Sequence, residues 1–243
     1  MIYISIATYN EKDNIEKLIR KIFSLNMPDL NVVIVDDDSP DGTSEIVNGL
    51  KQEFSNLNLI KRSGKLGYGS AHIAGFKMAI DKDAKIIISM DADFSHNPDV
   101  IPLLINSINN GNDVSIGSRR INGGKIIGWN LWRKFCSAGA MLTSQIILGI
   151  KTRDLTSGFR AYNSKVFDKV VLDDIKSDGY SFLEELIYKI EKNNFKIEEI
   201  AIVFEDRKFG KSKLSKKEII KFFITIFKIK FSKNEIINKN KKS

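Results

Sequence analysis

Hydrophobic positions in this chain recur with two different periods, and the two alternate over the first 118 residues. Residues 3–7 form a short apolar run, after which Ile15, Leu18, Ile19 and Ile22 fall at i, i+3, i+4 and i+7, the stripe of an amphipathic helix. Val32-Val33-Ile34-Val35 is β-branched throughout, the composition of a strand covered on both faces. The same alternation predicts a helix over 43–54, a strand over 57–61, a helix over 70–80, a strand over 85–90, a helix over 99–109 and a strand over 113–116. Strands alternating with helices predict an α/β fold whose sheet is mostly parallel and flanked by helices. Ligands of such sheets sit at the carboxyl ends of the strands.

Beyond residue 120 the periodicity loosens. Gly123-Gly124 reads as a flexible break, 129–148 as one or two helices, 182–191 as a helix and 197–204 as one strand. Residues 215–231 read as a basic amphipathic helix, and the Lys/Asn-rich last ten residues as disordered. This divides the chain into a domain at 1–214 and a tail at 215–243.

Charge sharpens that division. Of 38 Lys and Arg and 30 Asp and Glu, 13 and 2 respectively fall at or after Arg207, so the tail carries +11 and the preceding 206 residues −3. Such a tail calls for an anionic partner: nucleic acid, a membrane surface or a phosphorylated ligand. One cysteine, Cys136, excludes an intramolecular disulfide. The start lacks the pattern of a signal peptide, so a cytoplasmic location is expected. Neither 135–150, which is short, nor 219–231, which is interrupted by Lys221, Lys228 and Lys230, supplies the roughly 20 apolar residues of a membrane span.

Acidic loops follow three of the strands: Tyr9-Asn10-Glu11, Asp36-Asp37-Asp38-Ser39-Pro40-Asp41-Gly42, and Asp91-Ala92-Asp93. Crowded carboxylates repel unless a cation neutralises them. Two acids one residue apart at the end of an apolar strand, Asp91 and Asp93, suit a hard divalent cation that also binds phosphate oxygens. Asp41 and Asp99 read more simply as helix caps or turn residues. The loop from Asp37 opens like a calcium-binding EF-hand, but its twelfth position is Asn48 and a strand precedes it, which excludes that reading. The glycine-rich stretch from Gly64 to Ser70 precedes a helix and can offer backbone amides to a phosphate. Together the loops suggest a nucleotide diphosphate held with a divalent metal.

In order along the chain, Ala7-Thr8-Tyr9-Asn10-Glu11, 35–42, 62–71, 91–98, Gly117-Ser118-Arg119, 154–160, Gly179-Tyr180-Ser181-Phe182, and Asp206-Arg207 through Lys211-Ser212-Lys213-Leu214 resemble the inverting family 2 glycosyltransferases, and among them the polyprenyl-phosphate (dolichyl-phosphate) mannose synthases. The resemblance implies a GT-A type fold that takes GDP-mannose with Mg²⁺ or Mn²⁺ and makes polyprenyl-phosphate mannose with inversion. The same chemistry with UDP-glucose is the nearest alternative. By similarity Ala7, Tyr9, Glu11, Val35 and Asp37 hold the guanosine, with Ala92 beside the nucleotide. Asp91 and Asp93 form the metal pair, and Arg119, Arg207 and Lys213 handle the donor diphosphate and the acceptor phosphate. Ser95 stands where several members have a metal-contacting Gln, and Ala7 where the first motif usually has Pro.

A phosphate monoester acceptor, with a second pKa near 6, is already a nucleophile at pH 7. Such a site needs no general base, only groups that gather anions and stabilise a leaving diphosphate. Trp129, Trp132, Arg133 and the uncharged stretch after them suit either the headgroup boundary beside the acceptor or the protein core. Residues 219–231 suit a helix lying on anionic lipid, or against a small membrane subunit. This makes the expected protein peripheral on the cytoplasmic face of a membrane. Nucleic acid is not an expected partner, because the tail's aromatics are Phe on an amphipathic helix rather than stacking platforms.

Overall fold

The computed structural model describes residues 1–177, 179, 181–205 and 216–231. The first half follows the alternation of the sequence. β1 (Ile2–Thr8), α1 (Lys12–Phe23), β2 (Leu30–Asp36), α2 (Thr43–Leu50), β3 (Leu57–Lys61), α3 (Tyr68–Asp81), β4 (Ile86–Asp91), α4 (Ile101–Asn109) and β5 (Val114–Ser118) come in order. α2 ends four residues earlier than the periodicity predicts. The chain turns there, and Phe54 stacks on Phe23 with ring centroids 4.4 Å apart, burying as a side chain what the sequence pattern assigned to the helix.

The second half departs more. β6 (Lys125–Ile127) follows the glycine pair, and Gly124 is a close approach rather than a mere break: a Cβ there would lie 2.7 Å from the carbonyl carbon of Arg119. α5 (Leu131–Leu148) is a single helix. The Asn130 side chain caps its start by accepting from the Arg133 N–H at 2.8 Å, and Gly149 ends it at φ 65°. β7 (Arg160–Asn163), α6 (Val166–Lys169) and α7 (Ser181–Lys192) follow. The strand expected over 197–204 is two strands, β8 (Ile197–Ala201) and β9 (Val203–Glu205). β8 pairs with β5 as far as Ser118 and Ala201; with β5 ended, the chain passes through buried Ile202 and pairs with β6 instead. α8 (Lys216–Phe231) packs against α5 and α7.

The seven-stranded sheet runs β3-β2-β1-β4-β7-β5-β8. It is mostly parallel, with β7 antiparallel to both β4 and β5. β1 has β2 on one side and β4 on the other, so the strand order reverses there, and the carboxyl ends of β1 and β4 open the crevice where α/β sheets bind ligands.

Two apolar layers cover the sheet. Ile4, Ile6 and Ile34 meet Ile15, Leu18 and Val47 of α1 and α2 and Leu104 of α4 on one face. On the other, Phe76 of α3 and Leu186 of α7 join Met141 of α5 and Ile226 and Ile229 of α8. Burying a side chain of this size stabilises by about 1.5–3 kcal/mol, which explains why every stripe position of α1 read from the sequence is fully buried.

Candidate active site

Loops after β1 and β2 are stitched to each other. Asn10 N–H donates to Ser39 Oγ at 2.9 Å, Glu11 N–H to Thr43 Oγ1 at 3.0 Å and Lys12 N–H to Asp41 Oδ2 at 3.1 Å. Asp41 also accepts the Thr43 N–H and hydroxyl. Burial acts to raise its pKa, but these hydrogen bonds outweigh it and hold the carboxyl below the ordinary value. Asp41 is therefore a turn organiser, as its sequence context suggested. Asp99 is a turn residue rather than a cap: it lies in the 3-10 turn Pro98–Val100, Asn97 accepts its N–H, and its carboxylate pairs with Lys21 at 2.7 Å.

Ala7 and Val35 are register partners at the ends of β1 and β2, and Asp37 N–H donates to Thr8 O at 3.1 Å. Asp37 thus sits beside Ala7, Tyr9 and Glu11 on one edge of the sheet. Its carboxylate reaches across to the glycine-rich loop. Arg62 Nη1 lies 2.8 Å from Oδ1 and Gly67 N–H donates to Oδ2 at 2.9 Å. Arg62 also donates to Ser70 Oγ at 2.7 Å, so Asp37 and Arg62 together fix the loop that opens α3. Above it, Lys65 Nζ stands 3.9 Å from the centroid of the Tyr9 ring, a cation over an exposed aromatic face.

Asp91 closes β4 opposite Ala7. Its Oδ1 accepts from Tyr68 OH at 3.0 Å, and its backbone N–H donates to His96 Nδ1 at 3.0 Å. An accepting Nδ1 places the ring proton of a neutral imidazole on Nε2, which faces Asp91 Oδ2 at 3.9 Å. Burial keeps His96 neutral by lowering its pKa against the pull of Asp91 and Asp93, and its ring stacks on Phe159 at 5.0 Å. Gly158 packs against the same group: a Cβ there would fall 2.4 Å from Tyr68 OH and 3.3 Å from Asp91 Oδ1. Asp93 Oδ1 accepts the Ser95 N–H at 3.0 Å, and Ala92 between the two acids is buried.

Among the described residues no three His, Cys, Asp or Glu side chains converge as a complete ligand set. The two carboxylates fit a cation that keeps the rest of its coordination for water and phosphate oxygens, the habit of Mg²⁺ and its relatives.

Arg119 follows β5. Its Nε and Nη2 donate to the two oxygens of buried Asp154 at 2.7 and 2.6 Å, Nη2 also reaches Thr156 Oγ1 at 2.9 Å, and the Arg119 N–H bonds Asp154 at 2.9 Å. Burial alone would lower the Arg119 pKa and raise that of Asp154; the bidentate pairing reverses both, moving Arg119 up and Asp154 down. The guanidinium also lies 5.1 Å from the Phe204 ring centroid. It is a fixed charge rather than a mobile one. Arg207 and Lys213 lie outside the described residues.

Tyr68, His96, Asp154 and Gly158 fall inside motifs visible in the sequence, yet their partners are 23, 5, 35 and 67 positions away along the chain, and spacing gives no sign of those pairings. The aromatic stretch is resolved differently from either simple reading. Leu131, Trp132 and Phe135 are 84, 72 and 74% exposed, so the start of α5 is not core. On α8, Ile226 and Ile229 turn inward while Phe227 and Phe231 stack on each other outside. Among the described residues no helix is long and apolar enough to cross a membrane.

Comparison with known proteins agrees with this geometry. The model of the family described as "Glycosyl transferase family 2" matches residues 3–171. The chain is 35% identical over 210 residues to an undecaprenyl-phosphate mannosyltransferase of Micrococcus luteus, covering 86% of each chain. It is 33% identical to a polyprenol monophosphomannose synthase of Mycolicibacterium smegmatis, covering 87% of this chain and 80% of that one. A dolichol-phosphate mannosyltransferase of Pyrococcus furiosus is 38% identical over 96% of this chain, which spans 64% of that protein. Among solved structures, glucosyl-3-phosphoglycerate synthase from Mycobacterium tuberculosis, in complex with Mg²⁺ and UDP, superposes with a TM-score of 0.66 at 16% identity, over 93% of this chain and 79% of that one. At that identity the likeness concerns the GT-A type fold.

Proposed function

The chain belongs to glycosyl transferase family 2, and from that premise we propose that it transfers mannose from GDP-mannose to a polyprenyl phosphate, such as dolichyl phosphate, with inversion and with Mg²⁺ or Mn²⁺ as cofactor. The observation that carries this reading is the pair Asp91 and Asp93 at the reversal point of the sheet, the first of them oriented by Tyr68 and His96. Relatives named for mannosyl transfer to polyprenyl phosphates support the choice of sugar and acceptor.

Ala7, Tyr9, Glu11, Val35 and Asp37 line the nucleoside end, Asp37 acting partly through the loop it clamps. Asp91 and Asp93 would hold the cation, which when bound neutralises charge on the diphosphate. Arg119, braced by Asp154, sets a positive potential beside the phosphates, and Arg207 and Lys213 meet the donor diphosphate and the acceptor phosphate. An acceptor phosphate oxygen forms the new bond to the anomeric carbon from the side opposite GDP. The bond from that carbon to the diphosphate oxygen breaks, and its electron pair leaves with GDP. No proton has to be removed from the acceptor, since the phosphate monoester is largely ionised at pH 7. A peripheral position on the cytoplasmic face of a membrane, within reach of a lipid-borne acceptor, is part of this reading, supported by the exposed apolar start of α5 and the basic composition of the tail.

Labelled GDP-mannose, Mn²⁺ and dolichyl phosphate, incubated with purified protein, should give a labelled product that extracts into organic solvent. Asp93→Ala should lower the rate by about 10³-fold, the scale of several kcal/mol of charge stabilisation. A panel including UDP-glucose separates the donors, since the true one should raise the melting temperature most in the presence of metal.

A further inference from the structure

On the flank of α5 lies a pocket of about 220 Å³ lined by Arg120, Arg153, Gln145, Ala138, Met141 and Leu142. None of the strand-end carboxylates lines it. Arg119 and Arg120 are neighbours in sequence with opposite commitments: Arg119 turns to Asp154, whereas Arg120 Nη2 donates to Ser137 Oγ of α5 at 2.6 Å. Arg120 Nε is buried without an acceptor. Among the described residues neither Arg120 nor Arg153 forms an ion pair. Glu199, bonded to the backbone N–H groups of Arg153 and Asp154, is spent on the loop. Burial lowers the Arg120 pKa; Asp154 opposes this and Arg119 adds to it. Two guanidinium groups line one pocket whose lining holds no carboxylate, and like charges repel unless an anion enters.

The other wall gives the rest of the ligand. At 100° per residue, positions 131, 135, 138, 142 and 146 of α5 fall within roughly 80° of arc. Leu131, Phe135, Leu142 and Ile146 on that stripe are 84, 74, 59 and 73% exposed, and Ala138 and Leu142 are also pocket wall. A guanidinium-lined pocket continuous with an exposed apolar stripe matches an anionic head on an apolar tail. The acceptor's phosphate has to reach the sugar at the strand ends, and none of the strand-end carboxylates lines this pocket.

We propose that the pocket binds the phosphate headgroup of an anionic bilayer phospholipid, with Arg120 and Arg153 holding the phosphate and the α5 stripe meeting the acyl chains. This rests on the reading of α5 as the membrane-facing helix. It makes the bilayer lipid a ligand of defined stoichiometry rather than a diffuse charged surface.

The test titrates the full chain with soluble dihexanoyl phosphatidic acid, inorganic phosphate and farnesyl phosphate by calorimetry, and floats it with phosphatidylcholine vesicles containing phosphatidylglycerol. Phosphatidic acid should saturate at one per chain. Arg153→Gln, at an exposed position, should weaken it about 5-fold, the scale for one cation near a bilayer surface, and Arg120→Lys should weaken it less. Lys134→Gln, an exposed cation on the same helix, should change it under 2-fold. Inorganic phosphate should compete weakly and with the same dependence on Arg153. Absence of saturation, equal effects of Arg153→Gln and Lys134→Gln, or phosphate binding as tightly as phosphatidic acid would overturn the proposal. So would farnesyl phosphate taking the same site, which would assign the pocket to the acceptor. Transfer of mannose by the unmodified chain is read in parallel: its failure strikes the proposed function, and failure of the titration strikes only the pocket.

Discussion

Asp91 is gripped by three neighbours, and each makes a different demand on the residue that supplies it. Tyr68 contributes a hydroxyl, His96 an unprotonated Nδ1, and Gly158 the absence of a side chain. Groups that orient a metal ligand typically account for 10–100-fold in metal affinity. Tyr68→Phe should therefore weaken Mn²⁺ binding by about 10-fold or more, read by the paramagnetic resonance of free Mn²⁺, with an unchanged melting temperature. Gly158→Ala should weaken Mn²⁺ binding and also destabilise the fold, because its methyl collides with Tyr68 OH; overpacking of this kind costs about 1–3 kcal/mol, measurable by denaturant unfolding. A further residue-scale effect is set by pH. Glu184 is buried, one carboxylate oxygen lacks a hydrogen-bond partner, and burial pushes its pKa up to about 8 against the opposing pull of Arg160. A folded pKa above the unfolded one means that stability is full below about pH 4.5 and declines as pH rises through 8. The melting temperature of Glu184→Gln should accordingly gain on that of the unmodified chain across that window, and parallel curves would contradict the assignment.

At the scale of elements, periodicity displays what packs regularly and hides what does not. α1 shows its stripe because Ile15, Leu18, Ile19 and Ile22 are all buried on one face of the helix. β7 shows nothing, because it is four residues long and begins with Arg160, fully buried, whose Nη1 and Nη2 donate to the carbonyls of Leu183 and Leu155. No apolar run marks such a strand, so its antiparallel insertion between β4 and β5 is legible only in three dimensions. The split of 197–204 has the same origin, since a partner strand's end is not written in the strand it abandons. The acidic loops were legible as a group because each follows an apolar run. The bracing of Arg119 by Asp154 was not, since it joins residues 35 positions apart. α5 was ambiguous for another reason: beyond Lys134 it is uncharged, and such a stretch reads alike whether its apolar face meets protein or lipid. The structure shows Leu131, Phe135, Leu142 and Ile146 of that helix exposed and Met141 and Leu148 buried. Phe135→Ser together with Ile146→Ser should leave stability nearly unchanged and reduce vesicle flotation by ~10-fold or more, given about 1.5–3 kcal/mol per large apolar side chain removed from water.

Across the whole molecule, the reversal of strand order between β1 and β4 gathers Ala7, Tyr9, Glu11, Val35, the carboxylate pair and the Asp37–Arg62 clamp on a single edge. The exposed aromatic start of α5 and the inward-packed α8 lie in the half of the chain beyond β5. The formal charge of +8 accordingly describes two regions with separate needs: a body of −3 whose acidic pair calls for a cation, and a tail of +11 that calls for anions. In the proposed function this edge moves mannose from GDP-mannose onto a polyprenyl phosphate with the help of Asp91 and Asp93. The most direct measurement is lipid-extractable label from GDP-[¹⁴C]mannose, with dolichyl phosphate and Mn²⁺, for the unmodified chain and for Asp93→Ala. Metal-dependent label is expected for the first and about 10³-fold less for the second. No label with any polyprenyl phosphate, or equal label from Asp93→Ala, would contradict the proposed function.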